Sequence, residues 1–389
     1  MPNKITVVGG AGYIGLPFSL ILANADFLVE CYDIDKCKIE SLKNKTFFFD
    51  EKEIKKLYLN SSKKITFTYQ VSKSDFFFIC LPTPVKKDLS CDLSYIFKAL
   101  KKISIVLQAN NIIILESTVP VGTTNKVKNY LNRLRPDISG KFFVGYVPEK
   151  AIPGNTVFEM RNNHRVIGCD YKCFSKIKNI YKKFCIGKIS HSSIESAEAS
   201  KLVENAYRDN SIAFSNYISW SLRKKGLNDK EILEICNQHP RVKILSPSIG
   251  VGGHCIPIDP YFLPYSKNKG SLIKFVRKIN EKKTKMIIKK LEFFFKKHNL
   301  KGKICLWGLG YKPGVSDIRE SPAIEIVKTL KKKYKFFICD PLIKEIFFKD
   351  QINVQQANRF SDYHIILNML KKDVKKYVKS KKIFFAESL

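Results

Sequence analysis

The sequence lacks the marks of several protein classes. No segment reaches the roughly 18 uninterrupted apolar residues that a membrane span requires. Glycines also interrupt the apolar start of the chain, where a signal peptide needs a continuous hydrophobic region. The eleven cysteines show no paired CxxC spacing and no accompanying histidine pattern, which argues against a disulfide framework or a zinc site. We therefore expect a cytoplasmic protein with reduced thiols, no membrane partner and no bound metal.

Acidic residues are scarce relative to basic ones. The chain has 35 Asp and Glu against 69 Lys and Arg, a formal net charge of +34. Such an excess is typical of nucleic-acid-binding proteins. Here, however, it is almost wholly lysine, spread along the entire chain without a basic tail or an arginine-rich stripe. We attribute it to AT-rich codon usage at solvated positions, and expect no specific nucleic-acid partner and only mild steering of an anionic substrate.

The length of 389 residues exceeds what one ordinary core accommodates. Short apolar runs alternate with helical patterns in the first half and again after residue 300, which predicts parallel βαβ units. The predicted strand runs are 5–8, 28–32, 76–81, 112–116, 142–147, 336–339 and 364–367, and a further strand-turn-helix begins at 303–310. Apolar residues at three- and four-residue steps predict one long helix over about 193–225 and another over about 271–298.

These patterns predict an α/β fold class, with two Rossmann-like doubly wound parallel-sheet domains joined by a central long helix. We place an N-terminal α/β domain at 1–190. A central helical domain that contains the turn around Cys255 follows at 191–298, and a C-terminal α/β domain at 299–389.

A glycine-rich turn follows the first predicted strand. Gly10, Gly12 and Gly15 form a GxGxxG pattern, whose bare backbone can approach a pyrophosphate at a helix N-terminus. Asp33 ends the next strand run, where a carboxylate accepts both ribose hydroxyls and repels a 2′-phosphate. The turn therefore predicts NAD as cofactor. The predicted contacts are Gly10, Gly12, Tyr13, Ile14, Gly15 and Asp33.

Gly9 leaves an alternative open, because residues 9–15 also satisfy GxxGxxG, the turn of short-chain nucleotide-sugar epimerases. Those enzymes need a YxxxK pair near residue 150. The matches in this chain are misplaced: Tyr69/Lys73, Tyr265/Lys269 and Tyr377/Lys381. We therefore favour the dinucleotide turn.

Polar residues follow three later strand runs. These are Thr83, Thr118 and Glu149. In open parallel sheets, ligands bind at the carboxyl ends of strands. We therefore expect the three side chains to face a shared crevice.

Three polar residues lie on one face of the predicted long helix. Lys201, Asn205 and Arg208 are spaced by four and three residues. A solvated charged face usually explains such a trio. Arg208 argues against that explanation, because the chain has only ten arginines and the rigid guanidinium fork suits diphosphates and carboxylates.

The stretch 250–260, GVGGHCIPIDP, places Cys255 in a glycine-rich turn. Three glycines in four residues remove side-chain bulk, and two prolines stiffen the exit. An intracellular cysteine is more often a small buried hydrophobe. This context instead predicts that Cys255 is presented for covalent chemistry.

Together, eight motifs resemble the UDP-glucose/GDP-mannose dehydrogenase family in order and spacing across residues 1 to about 330. They are GAGYIGLP, LPTP, ESTVPVGTT, PEKAIPG, KLVENAYRD, HPRV, GVGGHCIPIDP and GLGYKPGVSDIRESPA. The resemblance implies a homodimeric enzyme that uses two NAD molecules to oxidise C6 of a UDP-amino sugar from alcohol to carboxylate, through a thioester. It also implies that the domain at 1–190 binds NAD, that the central domain at 191–298 forms the dimer interface and carries the cysteine turn, and that the domain at 299–389 binds the UDP-sugar.

Within the family, PEKAIPG, NAYRD and HPRV are most similar to the branch that oxidises UDP-N-acetyl-D-mannosamine for bacterial surface polysaccharide such as enterobacterial common antigen. Oxidation of UDP-N-acetylglucosamine is the alternative substrate assignment. A homologue that binds nucleotide but turns over poorly is an alternative of another class.

The resemblance also implies roles for individual residues. The implied catalytic residues are Cys255 as nucleophile, Lys201 and Asn205 for proton transfer and the oxyanion, Asp259 and Thr118 for positioning water, and Glu149 for thioester hydrolysis. The implied substrate contacts are Lys150, Ala151, Lys201, Asn205, Arg208, His239, Arg241, Gly252, Tyr311 and Lys312. The further NAD contacts are Thr83, Thr118 and Arg319, the last from across a dimer. His254 is taken as structural.

Three positions depart from the family pattern. Gly9 looks like an extra or substituted residue before the phosphate turn, and Lys150 stands where arginine is usual. Glu387 occupies the position of an expected lysine near the last strand end. The reversal of charge at this position favours the alternative in which the protein is a homologue that binds nucleotide but turns over poorly.

Overall fold

The structure is a computed structural model that describes residues 3–46, 51–61, 63–152, 154–298, 303–380 and 382–388. Pro153 of the PEKAIPG motif, Lys381 and the predicted domain start at residue 299 lie outside these ranges. The chain divides into two units. The first comprises Met1–Val203 and Phe262–Pro264, and the second comprises Glu204–Tyr261 and Tyr265–Leu389.

The first unit contains an eight-stranded sheet. Its strands are β1 (Lys4–Val8), β2 (Leu28–Tyr32), β3 (Ile65–Thr68), β4 (Phe76–Ile79), β5 (Ile112–Leu115), β6 (Phe143–Tyr146), β7 (Arg165–Cys169) and β8 (Ile189–Ser192). Their order is β3-β2-β1-β4-β5-β6-β7-β8. The pairings are parallel except that of β6 with β7, which is antiparallel.

Helices connect these strands. They are α1 (Gly15–Asn24), α2 (Lys36–Lys43), α3 (Lys52–Ser61), α4 (Ser94–Val106), α5 (Thr123–Leu134), α6 (Thr156–Asn162) and α7 (Tyr171–Lys182), with a 3₁₀ turn at Pro136–Ile138. Alternate residues of each strand point to opposite faces. Accordingly, Phe76 and Phe78 pack in one core cluster and Phe77 in the other. Both faces are therefore covered, as the apolar strand runs predict.

Helix α8 (Ile194–Lys224) contributes residues to both units. The predicted span was about 193–225. It is followed by α9 (Asp229–Cys236), a 3₁₀ turn at Asp259–Phe262 and α10 (Leu272–Lys297).

The second unit contains a four-stranded parallel sheet. Its strands are β9 (Ile304–Trp307), β10 (Phe337–Cys339), β11 (Tyr363–Ile366) and β12 (Ile383–Phe385), in the order β10-β9-β11-β12. Its helices are α11 (Pro322–Leu330), α12 (Val354–Phe360) and α13 (Lys371–Tyr377). Helix α11 begins at a proline behind a Ser321 cap, a favourable helix start. The predicted α/β class with two parallel-sheet domains is thus confirmed.

Among the helices of the described ranges, none is both long and apolar enough to cross a membrane. The same residues contain no group of three His, Cys, Asp or Glu side chains that could hold a metal ion.

Candidate functional site

Glycines determine the shape of the turn after β1. Gly9 has a φ of 80°, and the amides of Gly9 and Gly10 both donate to the carbonyl of Tyr32, at 3.0 and 2.8 Å. A Cβ on Gly15 would lie 2.1 Å from the Gly9 oxygen, and one on Gly10 would lie 2.7 Å from the Cys31 sulfur. Side chains are therefore excluded here, and Gly9 is an integral part of the turn.

Asp33 lies directly beside this turn. Its Oδ2 accepts from the amide of Ala11 at 3.1 Å and its Oδ1 from the amide of Asp35 at 3.0 Å. Gly12, Tyr13 and Ile14 lead from the turn into α1. A bare backbone at a helix start, next to a carboxylate at the neighbouring strand end, fits the pyrophosphate and ribose of a dinucleotide.

Hydrogen bonds connect the loops after β4 and β5. The Thr83 hydroxyl donates to the carbonyl of Thr118 at 2.6 Å, and the Ser117 hydroxyl donates to that of Leu81 at 2.7 Å. The structure thus brings two of the predicted strand-end hydroxyl residues together at this edge of the sheet.

Glu198 holds the end of the same loop. Its buried carboxylate accepts from the amide and the hydroxyl of Thr124, at 2.8 and 2.7 Å, and from the amide of Gly122 at 2.5 Å. Sequence reasoning missed Glu198. No local pattern marked Glu198, because its partners Gly122 and Thr124 lie 76 and 74 positions away in the sequence.

Glu149 lies after β6 and is 7% exposed. Its Oε1 accepts from the amides of Lys150 and Ala151, at 2.6 and 2.7 Å. Its Oε2 lies 2.9 Å from Nη2 of the buried Arg165. Sequence reasoning missed Arg165, although the scarcity of arginine was a usable signal. Lys201, the first residue of the polar trio on α8, is also buried. The explanation of a solvated charged face therefore does not apply to Lys201.

The structure places Cys255 at the surface of the second unit. Its carbonyl accepts from the amides of Ile258 and Asp259, at 3.1 and 2.8 Å, in the turn that leads into Asp259–Phe262. The Asp259 carboxylate is buried and accepts from the Asn205 side-chain amide at 2.6 Å. Two predicted catalytic residues, 54 positions apart in sequence, are therefore in direct contact.

The glycines beside Cys255 permit close backbone packing. A Cβ on Gly252 would lie 2.3 Å from the Glu320 oxygen. Gly253 has a φ of 84°, and its amide donates to the Arg319 carbonyl at 3.1 Å. A Cβ on Gly253 would lie 3.0 Å from the Tyr311 ring. The turn therefore packs against the segment that carries two predicted binding residues.

Charges around this turn come from several segments. Burial raises the pKa of Tyr311, and the nearby Asp317 and Cys255 raise it further while Arg319 and Arg208 oppose them. Burial, and then Arg319, lower the pKa of His254, so its imidazole is neutral at pH 7. Nε of Arg319 lies 2.9 Å from both Asp317 oxygens, so this predicted NAD contact is part of an ion pair.

A buried ion pair fixes α8 against α10. Asp209 accepts from Arg277 and from the Asn280 amide, both at 2.7 Å. Burial raises the pKa of Asp209 to about 6, although Arg277 lowers it. Because Asp209 follows Asn205 by four residues, the two side chains lie on the same face of α8. Sequence reasoning missed Asp209, although that spacing put it on the same helix face.

Two predicted substrate contacts lie on an exposed loop after α9. They are His239 and Arg241. Ile244 lies further along the same loop. The Asn237 side chain closes this loop, because its amide donates to the Ile244 carbonyl at 2.9 Å and its oxygen accepts from the Ile244 amide at 2.6 Å.

The predicted site residues divide between the units. The first unit contains Gly10, Gly12, Tyr13, Ile14, Gly15, Asp33, Thr83, Thr118, Glu149, Lys150, Ala151 and Lys201. The second contains Asn205, Arg208, His239, Arg241, Gly252, Cys255, Asp259, Tyr311, Lys312 and Arg319.

Family models match most of the chain. Residues 3–185 match the NAD binding domain of the UDP-glucose/GDP-mannose dehydrogenase family, residues 195–282 its central domain and residues 305–385 its UDP binding domain.

Individual relatives agree with these matches. The chain is 37% identical to a UDP-N-acetyl-D-mannosamine dehydrogenase of Methanocaldococcus jannaschii, over 84% of this chain and 76% of that one. It is 34% identical to an NDP-N-acetyl-D-galactosaminuronic acid dehydrogenase of Ralstonia nicotianae, over 88% and 84%. The solved structure of a UDP-D-ManNAc dehydrogenase from Pyrococcus horikoshii aligns with a TM-score of 0.86 at 31% identity, covering 98% of this chain and 94% of that one. The chain therefore belongs to the UDP-glucose/GDP-mannose dehydrogenase family of NAD-dependent oxidoreductases.

Proposed function

We propose that this enzyme oxidises the C6 alcohol of UDP-N-acetyl-D-mannosamine to a carboxylate, in two steps and through a thioester on Cys255. The observation that carries the proposal is the exposed Cys255 in a turn that also holds Asp259 against Asn205. The names of the relatives from Methanocaldococcus jannaschii and Pyrococcus horikoshii support the choice of sugar.

The glycine turn after β1 and Asp33 would hold NAD, which would supply the hydride acceptor for each of the two oxidations at C6. In the first, Lys201 removes the proton of the C6 hydroxyl, which gives the aldehyde. The Cys255 sulfur then bonds to the aldehyde carbon, and the thiol proton passes to the aldehyde oxygen. The amide of Asn205 stabilises the negative charge that develops on this oxygen.

The second oxidation converts the resulting thiohemiacetal into a thioester. Glu149 then takes a proton from a water that Asp259 and Thr118 position, and the water oxygen attacks the thioester carbon. The C–S bond breaks and Cys255 leaves as a thiolate, which is reprotonated. Overall, the alcohol and one water yield a carboxylate, two hydrides and three protons.

The substrate contacts are proposed from the same family resemblance as the catalytic residues. We expect Arg208 and Arg241, both exposed, to contact the diphosphate, because a guanidinium binds phosphate oxygens in pairs. The further expected contacts are His239, Gly252, Tyr311, Lys312, Lys150 and Ala151. A homodimer assembled on the central helix and a cytoplasmic location complete the proposal.

A second candidate substrate is the galacto isomer, UDP-N-acetylgalactosamine. The relative from Ralstonia nicotianae, named for an NDP-N-acetyl-D-galactosaminuronic acid, is nearly as similar, at 34% identity. The manno and galacto sugars differ only in the configuration of the amide at C2 and of the hydroxyl at C4, so a kinetic comparison must separate them.

The experiment measures NADH formed per sugar consumed for the wild type, Cys255→Ser and Cys37→Ser. Cys37 is an exposed thiol on α2 and serves as the matched control. The sugars are UDP-N-acetylmannosamine, UDP-N-acetylgalactosamine, UDP-N-acetylglucosamine and UDP-glucose. We expect two NADH per UDP-N-acetylmannosamine, lost in Cys255→Ser and kept in Cys37→Ser.

Other outcomes each reject a part of the proposal. One NADH per sugar with unchanged activity in Cys255→Ser would exclude the thioester. A tenfold preference in kcat/KM for another sugar would exclude the substrate assignment. Binding of NAD without turnover of any sugar would favour a homologue of reduced activity.

A further inference from the structure

A buried polar cluster surrounds Glu149 in the first unit. It consists of Cys80 after β4, Glu116 after β5, Glu149 after β6, Arg165 at the start of β7 and Tyr181 on α7. Its two carboxyls and its guanidinium are all buried, with Glu116 3% and Arg165 3% exposed. The mechanism above uses only Glu149.

Hydrogen-bond donors and a cation surround the Glu149 carboxylate. Two backbone amides donate to Oε1, at 2.6 and 2.7 Å, and the Arg165 guanidinium lies 2.9 Å from Oε2. Amide donors and an adjacent cation both stabilise a carboxylate.

The partners of Glu116 are weaker. Its Oε1 accepts from the Tyr181 hydroxyl, and its Oε2 accepts from the Cys80 thiol at 3.4 Å. Both donors are neutral. The charged and titratable groups that face Glu116 are Glu149, Arg165, Tyr181 and Cys80, from four different segments of the fold.

Charge balance then determines which group is protonated. Two buried carboxylates against one guanidinium would leave a net negative charge in an apolar pocket, which is costly. Burial, and then the charge of Glu149, raise the pKa of Glu116 to about 7, while Arg165, Tyr181 and Cys80 oppose this. Glu116 is therefore the group that retains a proton in the neutral range.

We propose that Glu116 is a positioning residue that controls the basicity of Glu149 during thioester hydrolysis. This inference rests on the role of Glu149 in the proposed function. While Glu116 is protonated, Arg165 neutralises Glu149 and weakens it as a base. When Glu116 releases its proton, the added negative charge makes Glu149 a stronger base toward the attacking water.

The test is the pH profile of Glu116→Gln, in which the amide oxygen still accepts from Tyr181 but cannot titrate. Both NADH molecules form before hydrolysis, so stopped-flow traces separate a burst from a steady-state rate. In the wild type we expect the steady-state rate to rise through about pH 7. In Glu116→Gln we expect an unchanged burst, no inflection near pH 7 and a steady-state rate at pH 9 that is lower than in the wild type.

Tyr181→Phe provides the second variant. The Tyr181 hydroxyl lowers the pKa of Glu116, so its removal should move the inflection to higher pH without abolishing it. Retention of the wild-type inflection in Glu116→Gln would overturn the inference. An equal loss of activity at every pH in both variants would also overturn it, because it would indicate a merely structural role.

Failure of this inference can be distinguished from failure of the proposed function. If the thioester is wrong, Cys255→Ser retains activity whatever the pH profile of Glu116→Gln. If only the inference is wrong, the stoichiometry of two NADH and the loss in Cys255→Ser persist.

Discussion

Gly15 is the residue where the cofactor turn has least room for a side chain. A Cβ there would lie 2.1 Å from the Gly9 oxygen, whereas one on Gly12 would lie 3.1 Å from the same atom. We expect Gly15→Ala to destabilise the first unit by at least about 1–3 kcal/mol, as overpacking does. It should also weaken NAD binding, because the start of α1 must shift.

Thermal unfolding with and without NAD measures this effect, with Gly12→Ala as the comparison variant. We expect a clearly smaller loss of Tm in Gly12→Ala. Equal losses in the two variants would show that the turn relaxes freely and would contradict the steric account.

Residue patterns predicted the cofactor turn, Asp33 and Cys255 because each belongs to a short contiguous motif. They did not predict Glu116 or Arg165 as partners of Glu149. Those contacts join the ends of three different strands, so no local spacing records them. The same reasoning applies to Arg277, whose partner Asp209 lies 68 positions away.

At the scale of elements, the C-terminal strand β12 is attached to α8 and α10. Arg223 donates to the carbonyl of Glu387 and forms an ion pair with Asp229 at 2.8 Å. Burial, then Arg223 and Lys290, lower the pKa of the buried Lys283 to about 8, and Glu387 opposes this shift. Glu387 therefore offsets an excess of positive charge at this junction.

We expect Glu387→Lys to destabilise the protein by roughly 1 kcal/mol more than Glu387→Gln, because it adds a further cation to this junction. Below about pH 8 Lys283 is charged, so the repulsion between Lys283 and the cation introduced by Glu387→Lys has its full strength. The difference should shrink as Lys283 loses its proton above about pH 8. Unfolding of both variants by urea at pH 7 and pH 9 measures it, and an equal or greater stability of Glu387→Lys at pH 7 would contradict this view.

The pattern of apolar runs predicted the central strands, since strands buried on both faces are nearly continuous in apolar residues. It missed β3 and β8, whose residues are half-buried or exposed because both strands lie at the sheet edges. It also missed β7, an interior strand that begins with the buried Arg165 and so lacks a purely apolar run. The antiparallel pairing of β6 with β7 was also not predicted, since strand direction depends on the path of the intervening chain.

At the scale of the whole molecule, the sequence predicted the fold class and the family, because the motifs recur in order along most of the chain. The predicted boundaries at 190 and 298 remain predictions. The net charge of +34 carries little structural information, since its lysines are spread along the whole chain and charges at the surface are screened beyond about 8 Å at physiological ionic strength.

The central claim is the covalent attachment of the sugar to Cys255. Intact-mass and peptide mass spectrometry of Glu149→Gln, quenched during turnover of UDP-N-acetylmannosamine and NAD, tests it most directly. We expect an acyl adduct on the peptide that contains Cys255, because the first steps proceed while hydrolysis is slowed. Continued formation of NADH with no adduct on any cysteine would contradict it.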